Sequence, residues 1–322
     1  MSQVSIVMSV FNQEKYLPIA IESILNQSYT DFEFIIVNDG SNDSSNDIIL
    51  SYEDKRIILI EQENKGLPAT LNLAISKAKG DFIARMDSDD ISDPSRIKKQ
   101  LEYLNKNPEI DLIGSSVRII DEDGKILGAV NVPIRPEVIS QCLTYRCVVY
   151  HPTFFLRKEV FNKVAGYRTE FIYAQDYDFL LRARRKNINI ANHTDYLLDY
   201  RIESKSSFVK DFNQLRFSRL ARELDREKSK FGSEREKTFR QLKKIENISG
   251  CQYLLHKSFL NLTSLANKLQ GIKRHIFRIL SILIGVFTKE ARNEIFRDLM
   301  YLQVLKKSSN KFIDIFYLGR KE

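Results

Sequence analysis

An α/β fold, with a mostly parallel central sheet flanked by helices and a helical extension on its C-terminal side, is predicted by three features of this 322-residue sequence. Short β-rich runs alternate with longer helical patterns through the first third, which is the pattern of βαβ units. Helical patterns with charged faces take over from about residue 206. The composition fits a globular chain: 43% hydrophobic and 29% charged residues, with 12 Gly and 7 Pro, carry no collagenous or disordered bias.

The elements follow in order. VSIVMSVF (4–11) reads as strand, YLPIAIESILNQ (16–27) as helix, FEFIIVND (32–39) as strand and SSNDIILSYED (44–54) as helix. IILIEQ (57–62) is a strand, LPATLNLAISKA (67–78) a helix closed by Gly80, and DFIARMD (81–87) a strand ending in acid. The runs at 32 and 81 are apolar almost throughout, as expected when both faces of a sheet are covered. Residues 93–110 form a helix with an apolar face at Ile97, Leu101 and Leu104, stopped near Pro108. Residues 112–133 read as two strands around an Asp123-Gly124 turn, 149–161 as a strand leading into a helix, and 175–187 as a helix. A Ser, Asn and Gly loop at 247–250 divides the helical remainder into two groups.

Charge separates the body from the tail. The net charge is +8, yet residues 205–322 carry 26 Lys and Arg against 12 Asp and Glu, which leaves 24 against 30 for residues 1–204. A uniformly basic chain would suggest nucleic acid. An acidic body with a basic helical appendage points instead to an anionic surface or partner, with the chemistry in the body. Cys142, Cys147 and Cys251 provide neither a disulfide framework nor paired CxxC zinc ligands, so a reduced, cytoplasmic setting is expected. The opening MSQVSIVMSVF lacks the basic and long apolar regions of an export signal.

Open α/β sheets place ligands beyond the carboxyl ends of their strands, so the polar residues there are the candidates. Asp39 in VNDGSNDSS directly follows one apolar strand. Asn-Asp-Gly-Ser also suits an ordinary turn, but a carboxylate fixed at a strand tip can accept two hydrogen bonds from a nucleoside. Asp87 and Asp89 in RMDSDD follow another. In extended chain i and i+2 project to one side, so both carboxylates can reach one cation while Ser88 points away. Hard oxygen ligands suit Mg²⁺ or Mn²⁺ shared with a substrate's phosphates. An isolated DxD also occurs in solvated loops, and Asp90 or Asp93 suits a helix cap before Pro94. No GxGxxG follows the first strand and no GxxxxGK[ST] occurs, which removes dinucleotide dehydrogenases and P-loop ATPases.

The runs VSIVMSVFNQEKYLPIAIESILNQSYTDFEFIIVNDGSNDSS, NKGLPATLNLAI and GDFIARMDSDDISDPSRIKKQ resemble the nucleotide-binding half of family 2 glycosyltransferases, which have the Rossmann-like GT-A fold. The resemblance spans residues 4 to about 205. It implies a nucleotide-sugar-binding half at 1–110 and an acceptor-binding half at 111–205, and the charged helical pattern adds a basic helical region at 206–322. It also implies that Asp39 binds the uracil or ribose side of a UDP-sugar, and that Asp87 and Asp89 hold Mn²⁺ or Mg²⁺ and the diphosphate. Asn64, Lys65 and Gly66 then border the nucleotide and Arg85 stands beside the DxD, with Val10, Asn12 and Ser88 completing the nucleotide set.

Asp176 in AQDYDFLLRARR resembles the acidic residue that opens the family's acceptor-side helix and takes the acceptor hydroxyl's proton, although its place also suits a helix cap. Asp178 is the local rival, with a structural role the better fit. With Asp176 as sole base and no protein nucleophile opposite, a single displacement inverts the anomeric centre. Two departures stand out. Gln175 replaces the usual Glu, which removes a neighbouring negative charge and favours ionised Asp176. Glu203 stands where many relatives carry a metal-binding His after Tyr-Arg, and a carboxylate can serve as the ligand. His193 is a nearby substitute or a solvated loop residue. His151, before Pro152, is expected to line the donor-sugar pocket or to sit fixed beside a turn, and Tyr145, Arg146 and Tyr150 either stack on sugars or pack.

In the tail, residues 275–287 are too short an apolar stretch to span a bilayer, which needs roughly 20 residues. Ile276, Ile279, Leu280, Leu283 and Phe287 share a face near Lys273, Arg274 and Arg278. That suits a peripheral helix on the inner face of the plasma membrane, and equally a core or homodimer helix. The expected reaction is transfer of a hexose or N-acetylhexosamine to a glycan acceptor, a lipid-linked oligosaccharide above all, with no nucleic-acid partner. The rivals are a sugar-1-phosphate nucleotidyltransferase and a GT-A protein that binds glycans without turning them over.

Overall fold

The computed structural model describes residues 3–202 and a helix at 208–231, whose side chains are described from 213 to 230. Two compact units are distinguished. The first takes in residues 3–140 and 147–202 of those described, and the second residues 141–146 and α8 (Phe208–Phe231). Glu203, the 247–250 loop and the 275–287 stretch lie outside the described residues. No helix among the described residues is long and apolar enough to cross a membrane. The helical pattern expected from 206 is met in α8, where Leu220 and Leu224 are buried and Arg219 pairs with Glu223 at 2.8 Å.

The first unit opens with β1 (Val4–Val10), α1 (Leu17–Leu25), β2 (Phe32–Asn38), α2 (Ser45–Leu50), β3 (Ile57–Glu61), α3 (Leu67–Lys77) and β4 (Phe82–Asp87). β1 lies between β2 and β4, all parallel, and β3 adds to the outer side of β2. β2 is buried along its whole length, and β1 and β4 along nearly all of theirs, because helices cover both faces. Pro18 and Pro68 stand in the first turns of α1 and α3, where a missing N–H costs nothing.

Several elements depart from the sequence expectations. α2 stops at Leu50 rather than 54, because Asp54 turns the chain by accepting the Arg56 N–H at 2.9 Å. α4 (Arg96–Lys106) begins after a two-residue strand, β5 (Ile91–Ser92). The expected hairpin is present as β6 (Leu112–Ile120) and β7 (Ile126–Val130). Asp121 Oδ1 caps its turn on the N–H groups of Asp123 and Lys125. α5 (Pro136–Cys142) was not anticipated. Pro152 lacks an N–H, so His151–Thr153 forms a 3₁₀ turn, and strand β8 starts only at Phe155 (Phe155–Arg157) before α6 (Lys158–Val164). After α7 (Gln175–Arg185) comes the largest omission, the twelve-residue strand β9 (Ile190–Arg201).

The sheet order is β3-β2-β1-β4-β8-β6-β9-β5, with β7 also on β6. β6 and β9 run parallel, whereas β8 lies antiparallel to both β4 and β6 and so joins the two halves. β9 carries register shifts opposite Ser115 and Ser116. His193 sits on this irregular strand rather than in a solvated loop. Its ring meets Tyr103 edge-on, and its Nδ1 accepts the Asp195 N–H at 3.1 Å. Burial lowers its pKa.

Candidate active site

The register places two acidic exits on either side of β1. Val10 pairs with Asn38 on β2, and Ser9 pairs with Asp87 on β4. At about 4.8 Å per strand, Asp39 and Asp87 stand roughly 10 Å apart across the end of β1. The chain leaving β1 passes between them, with Phe11 43% exposed. Asn12 adopts a left-handed conformation (φ 52), donates its N–H to Ser41 Oγ and accepts the Asn42 N–H through Oδ1. These bonds lock the β1 exit to the loop after Asp39.

Asp39 is buried, and its carboxylate is largely used by the protein. Oδ1 accepts from Gln62 Nε2 (2.6 Å) and from the Lys65 N–H (2.9 Å), and Oδ2 accepts from the Gly66 N–H (2.9 Å). A carboxylate has about four acceptor sites, so one rather than two remains for a nucleoside. Asp39 therefore also shapes the Asn64-Lys65-Gly66 segment, in which Asn64 and Lys65 are exposed. Gly40 makes that approach feasible. Its φ of +74° suits glycine, and a Cβ there would lie 2.9 Å from the Asn64 nitrogen.

At the other exit, Asp87, Asp89 and Asp90 bring carboxylate oxygens within 4.8 Å of one another. Strand alternation does not assemble them, because β4 ends at Asp87 and the chain bends through 88–90, burying Ser88. Asp90, weighed from sequence only as a cap, is 1% exposed; the N-cap of α4 is Ser95, and Asp93 accepts from Ser95 N and Oγ in the turn before it. Asp90 Oδ1 accepts the Arg201 N–H at 2.8 Å, and its Oδ2 has no hydrogen-bond partner. Burial, and then repulsion from Asp89 and Asp87, push its pKa up. A buried oxygen left unpaired beside two other carboxylates fits a divalent cation: the donors are hard and anionic, as Mg²⁺ and Mn²⁺ prefer.

Arg85 is 2% exposed and forms a two-point ion pair with Asp87. Burial opposes its charge, but Asp87 more than compensates and its pKa is raised. Beneath it, Arg96 is fully buried with only neutral acceptors: the Arg85 carbonyl (2.6 Å), Gln100 Oε1 (3.1 Å) and Met86 Sδ (3.4 Å). Burial and then repulsion from Arg85 push it down to about 9. Gln100 Nε2 continues this network to the Thr153 carbonyl at 2.8 Å. Arg96 and Gln100, four apart, share the buried face of α4 with Ile97 and Leu101.

Asp176 is the second residue of α7, after Ala174, which adopts a left-handed conformation (φ 55). The N-terminal end of the helix favours its negative charge. Burial nevertheless raises its pKa, against backbone N–H groups, Arg85 and the Cys147 thiol, whose Sγ lies 3.8 Å from Oδ2. Gln175 beside it is half-buried. His151 is buried, with Nε2 2.8 Å from Tyr167 Oη and its ring edge-on to Phe154 and Tyr167. Burial and then Arg85 hold its pKa well below the usual range, so it is neutral. Tyr150 packs edge-on against Tyr200, whose own pKa is raised by burial and by Asp90, Asp87 and Asp89. Arg85 thus exerts its field on Asp87, Asp176, His151 and Tyr167 alike.

Asp178 has a different place. It is buried, its Oδ2 accepts from Arg182 Nε (2.8 Å), and Arg168 lies 3.4 Å from Oδ1. Arg182 in turn donates to the Val164 and Gly166 carbonyls. Breaking a buried pair in this way costs about 3–5 kcal/mol. Asp178→Ala is expected to lower the melting temperature by roughly 10 °C in a unit of this size, and unchanged melting in calorimetry would contradict the scaffold role.

Of two further metal-ligand candidates, one is undescribed and one is distant. Glu203 lies outside the described residues. His193 is eight residues along β9 from Arg201, roughly 25 Å at strand rise, which is too far to share a cation with Asp89. Conversely, the sequence did not point to Phe11, Asp90, Tyr167 or Arg201 as site residues.

Residues 5–165 match the family model described as glycosyl transferase family 2. The O-antigen biosynthesis glycosyltransferase WbnJ of Escherichia coli is 36% identical over 212 residues, covering 64% of this chain and 82% of that protein. An uncharacterized glycosyltransferase of Methanocaldococcus jannaschii is 38% identical over 216 residues, covering 64% and 73%. Staphylococcus aureus TarS 1–349 in complex with UDP-GlcNAc shares the fold with a TM-score of 0.54, at 16% identity over 94% of this chain and 92% of that one. So does the mannosyltransferase PcManGT of Pyrobaculum calidifontis in complex with GDP-Man and Mn²⁺, at a TM-score of 0.58 and 13% identity over 95% and 86%.

Proposed function

This chain belongs to glycosyltransferase family 2, and within that family we propose that it is a metal-dependent, inverting transferase moving a hexose or N-acetylhexosamine from a UDP-sugar to a glycan acceptor. The acceptor we favour is a lipid-linked oligosaccharide of surface-polysaccharide synthesis, in keeping with the O-antigen relative. The observation that carries the reading is the pair of acidic exits flanking β1, with Asp176 coupled to one of them through Arg85.

The remaining acceptor site of Asp39 takes the nucleoside, the exposed ring of Phe11 offers its base a stacking face, and the 64–66 segment borders it. Asp87, Asp89 and Asp90 would hold Mn²⁺ or Mg²⁺, which when bound neutralises charge on the departing diphosphate. Arg85 orients Asp87 by its two-point grip. Asp176 accepts the proton of the acceptor hydroxyl as that oxygen attacks the anomeric carbon, and nucleoside diphosphate departs on the opposite side. Neutral His151, fixed by Tyr167, walls the donor-sugar side without adding charge.

Incubation with a panel of nucleotide sugars and glycan acceptors tests this reading. Transfer from a UDP-sugar with inverted anomeric configuration, read by NMR, is expected; retention would overturn the single displacement.

The base must be ionised to act, so kcat/KM is expected to rise with pH along an acid limb set by Asp176, displaced above the ordinary aspartate value of about 3.9. The Cys147 thiol favours the ionised carboxylate. Removing it in Cys147→Ala is expected to move that limb to higher pH, whereas Cys147→Ser, which keeps a donor, leaves it near the wild-type position. A limb unmoved in Cys147→Ala would show that the contact has no bearing on the base.

A further inference from the structure

Arg201, the last residue of β9, is 7% exposed, and its charge has gathered an unusual set of partners. Its Nε donates to the carbonyl of Asp89 at 2.7 Å. Its Nη1 donates to the carbonyls of Asp121 (2.8 Å) and Glu122 (3.2 Å) at the β6–β7 turn. The guanidinium carbon lies 4.3 Å from the centre of the Tyr16 ring at the start of α1. Its backbone N–H meanwhile holds Asp90. Among the described residues, the hydrogen bonds of the guanidinium therefore go to main-chain carbonyls, although three carboxylates gather at the segment it grips.

Mutual repulsion among those carboxylates tends to spread them, and the 88–90 chain is a bend with no strand ladder to resist that. The main-chain bond fixes Asp90 whatever side chain stands at 201. The guanidinium ties the Asp89 main chain to the hairpin, and its planar fork reaches both groups of carbonyls at once.

We propose that Arg201 is a positioning residue that sets the Asp89 carboxylate for the divalent cation by clamping its main chain to the β6–β7 turn. This rests on the metal-dependent reading above. Lysine cannot bridge both groups of carbonyls, so Arg201→Lys loses the clamp while keeping a positive charge and an alkyl stem over Tyr16. Arg201→Gln removes the charge as well.

The test is Mn²⁺ affinity in the presence of UDP, measured by electron paramagnetic resonance of the free ion, with melting temperature recorded alongside. Loss of an outer residue that orients a metal ligand typically weakens binding by about 10- to 100-fold, and a loss in that range is expected for both variants. UDP affinity without metal should stay within about twofold, since the Asp39 side is untouched. Lowered melting with unchanged Mn²⁺ affinity would mean a merely structural role and overturn the proposal. Should Arg201→Gln not fold, Arg201→Lys carries the same two readouts. If wild-type protein itself binds UDP with no dependence on Mn²⁺, the metal-dependent reading fails rather than the clamp; if wild type depends on Mn²⁺ and both variants match it, the clamp alone fails.

Discussion

Asp89→Ala is expected to lower transfer from the UDP-sugar by roughly 10³-fold. A bound divalent cation supplies several kcal/mol of charge stabilisation to a departing diphosphate, and about 1.4 kcal/mol corresponds to a factor of ten in rate. Asp87 is already engaged by Arg85, and one oxygen of Asp90 by the Arg201 N–H, so neither is free to take over the coordination that Asp89 gives up. The side chain of Asp89 is partly exposed, which makes its truncation tolerable to the fold. Isothermal titration with UDP in the presence and absence of Mn²⁺ checks the cause. The variant should lose the metal-dependent increment and keep the metal-free affinity, whereas full activity in Asp89→Ala would remove the cluster from the reaction.

Asp176→Asn should reduce kcat by about 10²- to 10⁴-fold, the range expected when a general base is removed. The change preserves shape and leaves the amide nitrogens at the start of α7 in place, so UDP affinity and melting temperature should stay close to wild type. That combination separates a base from a helix cap, whose loss would appear as roughly 1 kcal/mol of stability and little else. Asp178→Ala provides the internal contrast two residues away: stability falls there because Arg182 and Arg168 lose their counter-charge. A fall in melting with normal turnover in Asp176→Asn would transfer the catalytic role elsewhere.

Much of this site was legible because parallel sheets advertise their ligand ends. Apolar runs at 32–38 and 82–87 stop abruptly at acid, and the strand order then brings those stops to either side of β1. The structural role of Asp178 was also readable, from its position further into the helix. β9 was illegible for a physical reason. Asn192, His193, Thr194 and Asp195 obscure its period of two, and register shifts against β6 break the alternation further. With β9 unseen, nothing could place Arg201 beside Asp89, and Asp90 seemed to be a cap because its burial depends on that same strand. Arg96 was hidden differently. Arginine on a helix is read as a solvated residue, and only the absence of solvent at the face shared with Ile97 and Leu101 reveals it.

The acidic cluster as the seat of a cation that serves glycosyl transfer is tested most directly by identifying the products formed from a UDP-sugar with and without a chelator. Release of UDP that requires Mn²⁺ or Mg²⁺, stops with EDTA and is absent from Asp89→Ala is the predicted result. Pyrophosphate in place of UDP, or UDP release indifferent to EDTA, would contradict it.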